Sequence, residues 1–181
     1  MSENHTYYIL EHFEWVQLKS WRFPIAATMS QLGVRCGYIG LPPHHLYYGH
    51  DYNSENIGIP VDCHYGLSFG QNPEQQNYPV QLIYGPNYHW IGFDCNHISD
   101  LPDPFFVAPE FRNRRSFSDP GASIKSLSFV LDNLYSLAEQ LAGVPQTLQI
   151  EHQPSVQKTF KWSFSSCPIK NIGNQVEISH G

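Results

Sequence analysis

The chain is poor in charge. Asp, Glu, Lys and Arg together make up 14% of its 181 residues, against a usual quarter. Its surface must therefore be covered by neutral polar groups, by aromatic hydroxyls or by another subunit. Positive charge is not in excess either. The formal net charge is −6, which makes phosphate-neutralising contact with duplex nucleic acid a poor expectation. No apolar run reaches the length of a membrane span, and Met1-Ser2-Glu3-Asn4-His5 has no basic stretch followed by an apolar one. The expectation is a cytoplasmic protein, neither secreted nor inserted in a membrane. The cysteines Cys36, Cys63, Cys95 and Cys167 form no C-x-x-C pair, which leaves zinc-ribbon and thioredoxin-like readings without support and suits reduced thiols in a cytosol. Internal repeats and low-complexity tracts are also lacking.

Core-forming residues are plentiful. Hydrophobic residues make up 41% and aromatics 14%, too rich for a disordered chain. At this length a folded chain buries roughly 70% of the surface it exposes when unfolded, so neither a disulfide nor a metal is required for stability. Residues 7–19, Ala26–Met29, Gly33–Leu41, Val61–Phe69, Val80–Tyr84 and Tyr88–Asp94 read as strands. Gly70–Asn77 reads as a polar loop. Ile124, Leu127, Leu131, Leu134, Ala138 and Leu141 recur at helical spacing. They predict a helix of about 18 residues, about 27 Å long. Ser118, Asp119 or Ser123 is the expected cap, with Gly143 and Pro145 closing the end. The fold class expected is α+β: a mixed, mainly antiparallel sheet with one long helix from the C-terminal half packed across it. Residues 1–143 form one domain in this reading. Residues 144–181 form a β-hairpin-like extension, through Thr147–Ile150 and Thr159–Phe164, that extends the sheet or pairs with a second copy.

Three clusters place ionisable groups beside glycine at strand ends, where a rigid sheet aims side chains and glycine admits a ligand. They are Arg35–Gly40 with His44, His45, His50 and Asp51 after it; Asp62–Leu67; and Trp90–Asp100. Asp94, His97 and Asp100 lie at three-residue steps. With His64 they make an N/O set suited to a divalent ion such as Zn or Mn, and His64, Asp94 and His97 are the expected metal ligands. The same residues suit a metal-free reading, in which His64 or His97 is a general acid or base oriented by Asp94 or Asp100. Cys63 or Cys95 beside an imidazole is a further candidate, as a nucleophile. His64, Asp94, His97 and Asp100 are thus the candidate catalytic residues. Arg35, Tyr38, Tyr65, Trp90 and Cys95 are expected to contact ligand, aromatic faces being suited to stacking on bases. Arg112 and Arg115, from the one basic cluster, are expected to clamp a phosphate.

Taken together, these stretches resemble a family of small proteins encoded by tailed bacteriophages. The likeness rests on Arg35–Gly40, Tyr48-Gly49-His50-Asp51-Tyr52, His64-Tyr65-Gly66-Leu67, Gly92–Asp100 and Ser126–Ala142, and spans roughly residues 10–143. The chain departs from the pattern at Tyr65, where the family has glycine. The resemblance implies accessory phage genes expressed in the host cell, among which proteins that destroy or sequester nucleotide-derived defence signals recur. Three readings of function follow: a metal-assisted hydrolase of a small nucleotide-like molecule; a non-catalytic protein, as a homo-oligomer, that sequesters such a molecule between aromatic rings; and a protein-binding inhibitor or minor structural component.

Overall fold

The computed structural model describes residues 7–52, 58–71, 87–111, 120–144, 170–172 and 175–177. The strands expected at Val80–Tyr84, Thr147–Ile150 and Thr159–Phe164, and the arginines Arg112 and Arg115, lie outside these residues. The architecture is α+β. Strands β1 (Tyr7–Leu18), β2 (Trp21–Ser30), β3 (Arg35–Leu41), β4 (Phe69–Gln71), β5 (His89–Asp94), β8 (Lys170–Ile172) and β9 (Gln175–Glu177) form one seven-stranded sheet in the order β4-β5-β3-β2-β1-β9-β8. Every pairing within it is antiparallel. The only parallel pairing among the described residues joins two short strands, β6 (Asp100–Leu101) and β7 (Ser123–Ile124). The C-terminal strands β8 and β9 dock on β1 and so extend the sheet.

Helix α1 (Leu127–Ala142) packs across one sheet face. Alternation along the strands sorts the two faces. Trp21, Phe23, Ile25, Ala27, Ile39, Ile91 and Phe93 meet Val130, Leu134, Leu137, Ala138 and Leu141 of the helix, while Ala26, Cys36, Tyr38 and Trp90 face the other way. Strand β2 is buried on both sides, which is why it reads as an almost unbroken apolar run. Each fully buried leucine of α1 contributes about 1.5–3 kcal/mol by leaving water.

The helix starts later than its apolar spacing predicts. Ser123 and Ile124 pair with Asp100 and Leu101, so they are extended and Ile124 is exposed. The cap is Ser126, whose Oγ accepts from the Phe129 N–H at 3.1 Å. The strand expected at Val61–Phe69 is also corrected. Cys63–Gly66 is a tight turn closed by the Gly66 N–H on the Cys63 carbonyl, with Tyr65 and Gly66 both left-handed at φ 54° and 83°. Glycines of the central strands admit packing, not a ligand. A Cβ on Gly37 would come within 2.8 Å of the Phe93 ring, and one on Gly92 would strike the Gly37 carbonyl oxygen.

Strand β1 carries a bulge. Leu10 pairs with Thr28 and His12 with Ala27, leaving Glu11 as the inserted residue. Glu11 and His12 consequently share the helix-facing side, whereas Phe13 joins the opposite cluster. No described helix is long and apolar enough to cross a membrane.

His45 ties the loop after β3 to the end of α1. Its Nε2 lies 3.2 Å from the Leu141 carbonyl, and its Nδ1 accepts from the Tyr47 N–H at 3.2 Å. That pairing requires the neutral ring with its proton on Nε2, because a second proton would oppose the Tyr47 N–H. Burial lowers the His45 pKa, against the pull of the Leu141 carbonyl. A ring held neutral in the fold stabilises it fully above the unfolded value of about 6.5, and this contribution is lost as pH falls through the lower folded value. Urea titrations should therefore show wild-type stability declining as pH falls from about 6.5 toward that lower value. His45→Phe should be weaker at neutral pH by about 1–3 kcal/mol and should lack this part of the decline.

Candidate functional site

The site forms where two loops meet the start of α1. The Cys63–Gly66 turn is clamped by the polar flank of the helix. Gln140 accepts from the Asp62 N–H at 2.7 Å and donates to the Asp62 carbonyl at 2.8 Å, and Asn133 Oδ1 accepts from the His64 N–H at 3.0 Å. The loop after β5 is anchored by the Cys95 N–H on the Arg35 carbonyl, then turns back so that the Asp100 N–H reaches the His97 carbonyl. These two fixed loops carry His64, His97 and Asp100 to one point.

Asp100 is the centre of the arrangement and is fully buried. His64 Nε2 lies 2.8 Å from its Oδ2 and 3.0 Å from its Oδ1. The His97 backbone N–H donates to Oδ2 at 3.0 Å, and the His97 Nδ1 is 3.2 Å from the same oxygen. Lys125 Nζ stands 3.5 Å from Oδ1. Burial alone would raise the Asp100 pKa. The hydrogen bond from His64, the His97 backbone N–H, the charge of His64 and the His97 side chain together outweigh it, so the pKa lies below the ordinary aspartate value.

Aromatic rings complete the walls. Tyr65, 59% exposed, stacks on His97 with centroids 4.3 Å apart and planes 12° from parallel. Its hydroxyl hydrogen-bonds Ser99 Oγ at 3.0 Å. His64 stands edge-on to Tyr65, His97 and Phe129.

His64, His97 and Asp100 form a group that could hold a metal ion, their ligand atoms all lying within 4.8 Å of one another. Around a tetrahedral zinc with bonds of about 2.0–2.1 Å, ligand atoms stand about 3.3 Å apart. The separations of 2.8 and 3.2 Å to Oδ2 need a small expansion, and the two imidazole nitrogens lie within 4.8 Å of each other. Without an ion, the same nitrogens serve as N–H donors to the carboxylate.

Several expected residues lie elsewhere. Asp94 is not in the metal-capable group. It ends β5 on the face away from the helix, as alternation after Phe93 requires, and its Oδ2 accepts from Ser68 Oγ at 2.7 Å. Arg35 is not free to hold a ligand. Its Nε and Nη2 grip the Glu11 carboxylate at 2.8 and 2.9 Å, and its Nη1 donates to the Lys125 carbonyl at 2.8 Å. Tyr38 and Trp90 are buried on the opposite face, where Tyr38 meets Phe69 edge-on. Cys95 is buried as well. Burial pushes the Cys36 and Cys95 thiols up to about 12, and burial with the charge of Asp62 pushes Cys63 up to about 11, which disfavours a thiolate nucleophile. Tyr65 does stand at the site. The residues that sequence reasoning passed over are Lys125, Ser99, Asn133 and Gln140. In the sequence the last two stand out only as polar positions two helical turns apart beside the apolar stripe.

Comparison with protein-family models, curated proteins and solved structures finds no match.

Asp100→Asn in chelator-treated protein should lower unfolding free energy by about 3 kcal/mol, the scale for breaking a buried charge pair. The wild-type contribution is present above the ordinary aspartate value of about 3.9 and lost as pH falls through the depressed folded value. Acid titration of stability should show that limb in the wild type and not in the variant.

Proposed function

We propose that the protein is a tailed-phage accessory protein that binds and hydrolyses a small nucleotide-derived molecule in the host cytoplasm. In this reading a divalent ion, Zn or Mn, is held by His64 Nε2, His97 Nδ1 and an Asp100 oxygen. One observation carries the proposal: two imidazoles and one carboxylate from two separate loops converge beside an exposed aromatic ring. Two nitrogens and one oxygen suit a borderline divalent ion and leave a coordination position for a ligand.

The ion would polarise a phosphoryl oxygen and lower the pKa of water. The residues of the chain do the rest. Asp100, fixed by the His97 backbone N–H, sets the spacing of the imidazoles. Tyr65 presents a flat face on which a base can stack, and its parallel contact with His97 fixes that ring. The family resemblance supports the setting, a molecule of host defence signalling as the target.

A second reading is favoured by the complete burial of Asp100. A carboxylate sealed from solvent and bonded by its neighbours can act as a clasp, leaving a non-catalytic protein that sequesters the same ligand at Tyr65.

Incubation with cyclic nucleotides and ADP-ribose derivatives, with Zn or Mn and then with a chelator, separates the readings. Hydrolysis should require the ion and fall by about 100-fold or more in His97→Ala, since even groups outside a metal's first shell cost 10–100-fold. Ligand recovered intact after heat denaturation of the protein would establish sequestration instead. With neither conversion nor retention, both readings fall.

A further inference from the structure

The groups around Asp100 are of two kinds. His64 and His97 each carry a ring nitrogen that can offer a lone pair as a ligand, but Lys125 is a cation with donors only. Its Nζ lies 3.5 Å from Asp100 Oδ1 and donates to Ser123 Oγ at 2.8 Å, with the ammonium 5.6 Å above the Phe129 ring. The side chain is only 16% exposed. Lys125 is also held from behind, because its carbonyl accepts from Arg35, which is itself fixed by Glu11. The acidic neighbours Glu11 and Asp103 face Arg35, not the imidazoles.

A divalent ion in this group would put three positive charges, its own two and that of Lys125, against the single negative charge of Asp100. Charges with little access to water need partners. The excess of two matches a dianion. We propose that the site takes a divalent ion together with a dianionic phosphoryl group, and that Lys125 is the second contact of that group. This rests on the metal reading above and narrows its substrate class to molecules bearing a phosphomonoester. Without the anion, the ion and Lys125 compete for Asp100. With it, Lys125 turns from competitor to partner, so each ligand strengthens the other.

Calorimetric titration of Mn²⁺ into the full chain tests this, alone and with inorganic phosphate, AMP or cyclic AMP. Phosphate and AMP should tighten Mn²⁺ binding about tenfold, a typical coupling between sites. The monoanionic cyclic AMP should do so less. By linkage, Mn²⁺ must tighten AMP binding by the same factor, and the contrast of AMP with cyclic AMP on the wild type tests the inference even if a variant fails to fold. Lys125→Met should bind Mn²⁺ more tightly than the wild type when no anion is present and should lose the coupling; Lys125→Arg should keep it. Undiminished coupling in Lys125→Met, or equal coupling by cyclic AMP, overturns the inference. If Mn²⁺ binds through His97 but no anion affects it, the inference falls and the metal site stands. If Mn²⁺ does not bind, or binds His97→Ala as well as the wild type, both fall.

Discussion

A carboxylate withdrawn from water is costly unless its oxygens are occupied, and Asp100 gathers its partners from three segments distant in sequence. The turn after Cys63 supplies His64, its own loop supplies His97, and the residue before the helix cap supplies Lys125. None of these three residues lies within a long regular element, although Asn133 and Gln140 of α1 also hold the turn that carries His64. The short parallel pairing of Asp100 and Leu101 with Ser123 and Ile124 adds a backbone link to the same junction. One acidic group therefore orders the end of the molecule where the candidate chemistry sits, and the sheet and helix beneath provide a rigid base.

Much of the base was legible in the sequence, because local periodicity encodes it. The leucines of α1 lie on one stripe, and the apolar runs of β2, β3 and β5 are central strands. The start of the helix was not legible, since Ile124 fits the stripe and only a pairing with Leu101 makes it extended. The same limit governs the site. His97 and Asp100 share a turn, as their spacing suggests, but Asp94 has that spacing too and belongs to a strand that points it away. His64 was singled out for its chemistry while its setting was misread, because a non-glycine residue at positive φ, Tyr65, interrupts what looks like a strand. Arg35 illustrates a further difficulty. Its partners Glu11 and the Lys125 carbonyl lie 24 and 90 residues away, so nothing local reveals that the guanidinium is already engaged.

The nitrogens at Asp100 can take either of two roles in nearly the same arrangement. With N–H protons on the facing nitrogens, the imidazoles are donors and the cluster is a clasp. With those protons gone, the nitrogens are lone pairs around a space for a cation. A structural bond and a coordination site are thus alternative occupants of one arrangement. The stacking of Tyr65 on His97 serves either, because it fixes the plane of the ring and not its proton.

The extra residue in β1 has a bearing on how this chain can change over time. Where a strand pairs without slack, losing one residue turns every neighbour on one side of the cut inside out. Here Glu11 is an unpaired link, so a deletion between it and Leu18 can be absorbed by drawing that link into the ladder. Only the positions between the gap and the link would move by one place, while Leu10 and the residues before it would stay opposite their present partners. The strand would work as an expansion joint, taking up a change of length while Glu11, moved opposite Ala27, keeps the side of the sheet on which Arg35 grips it.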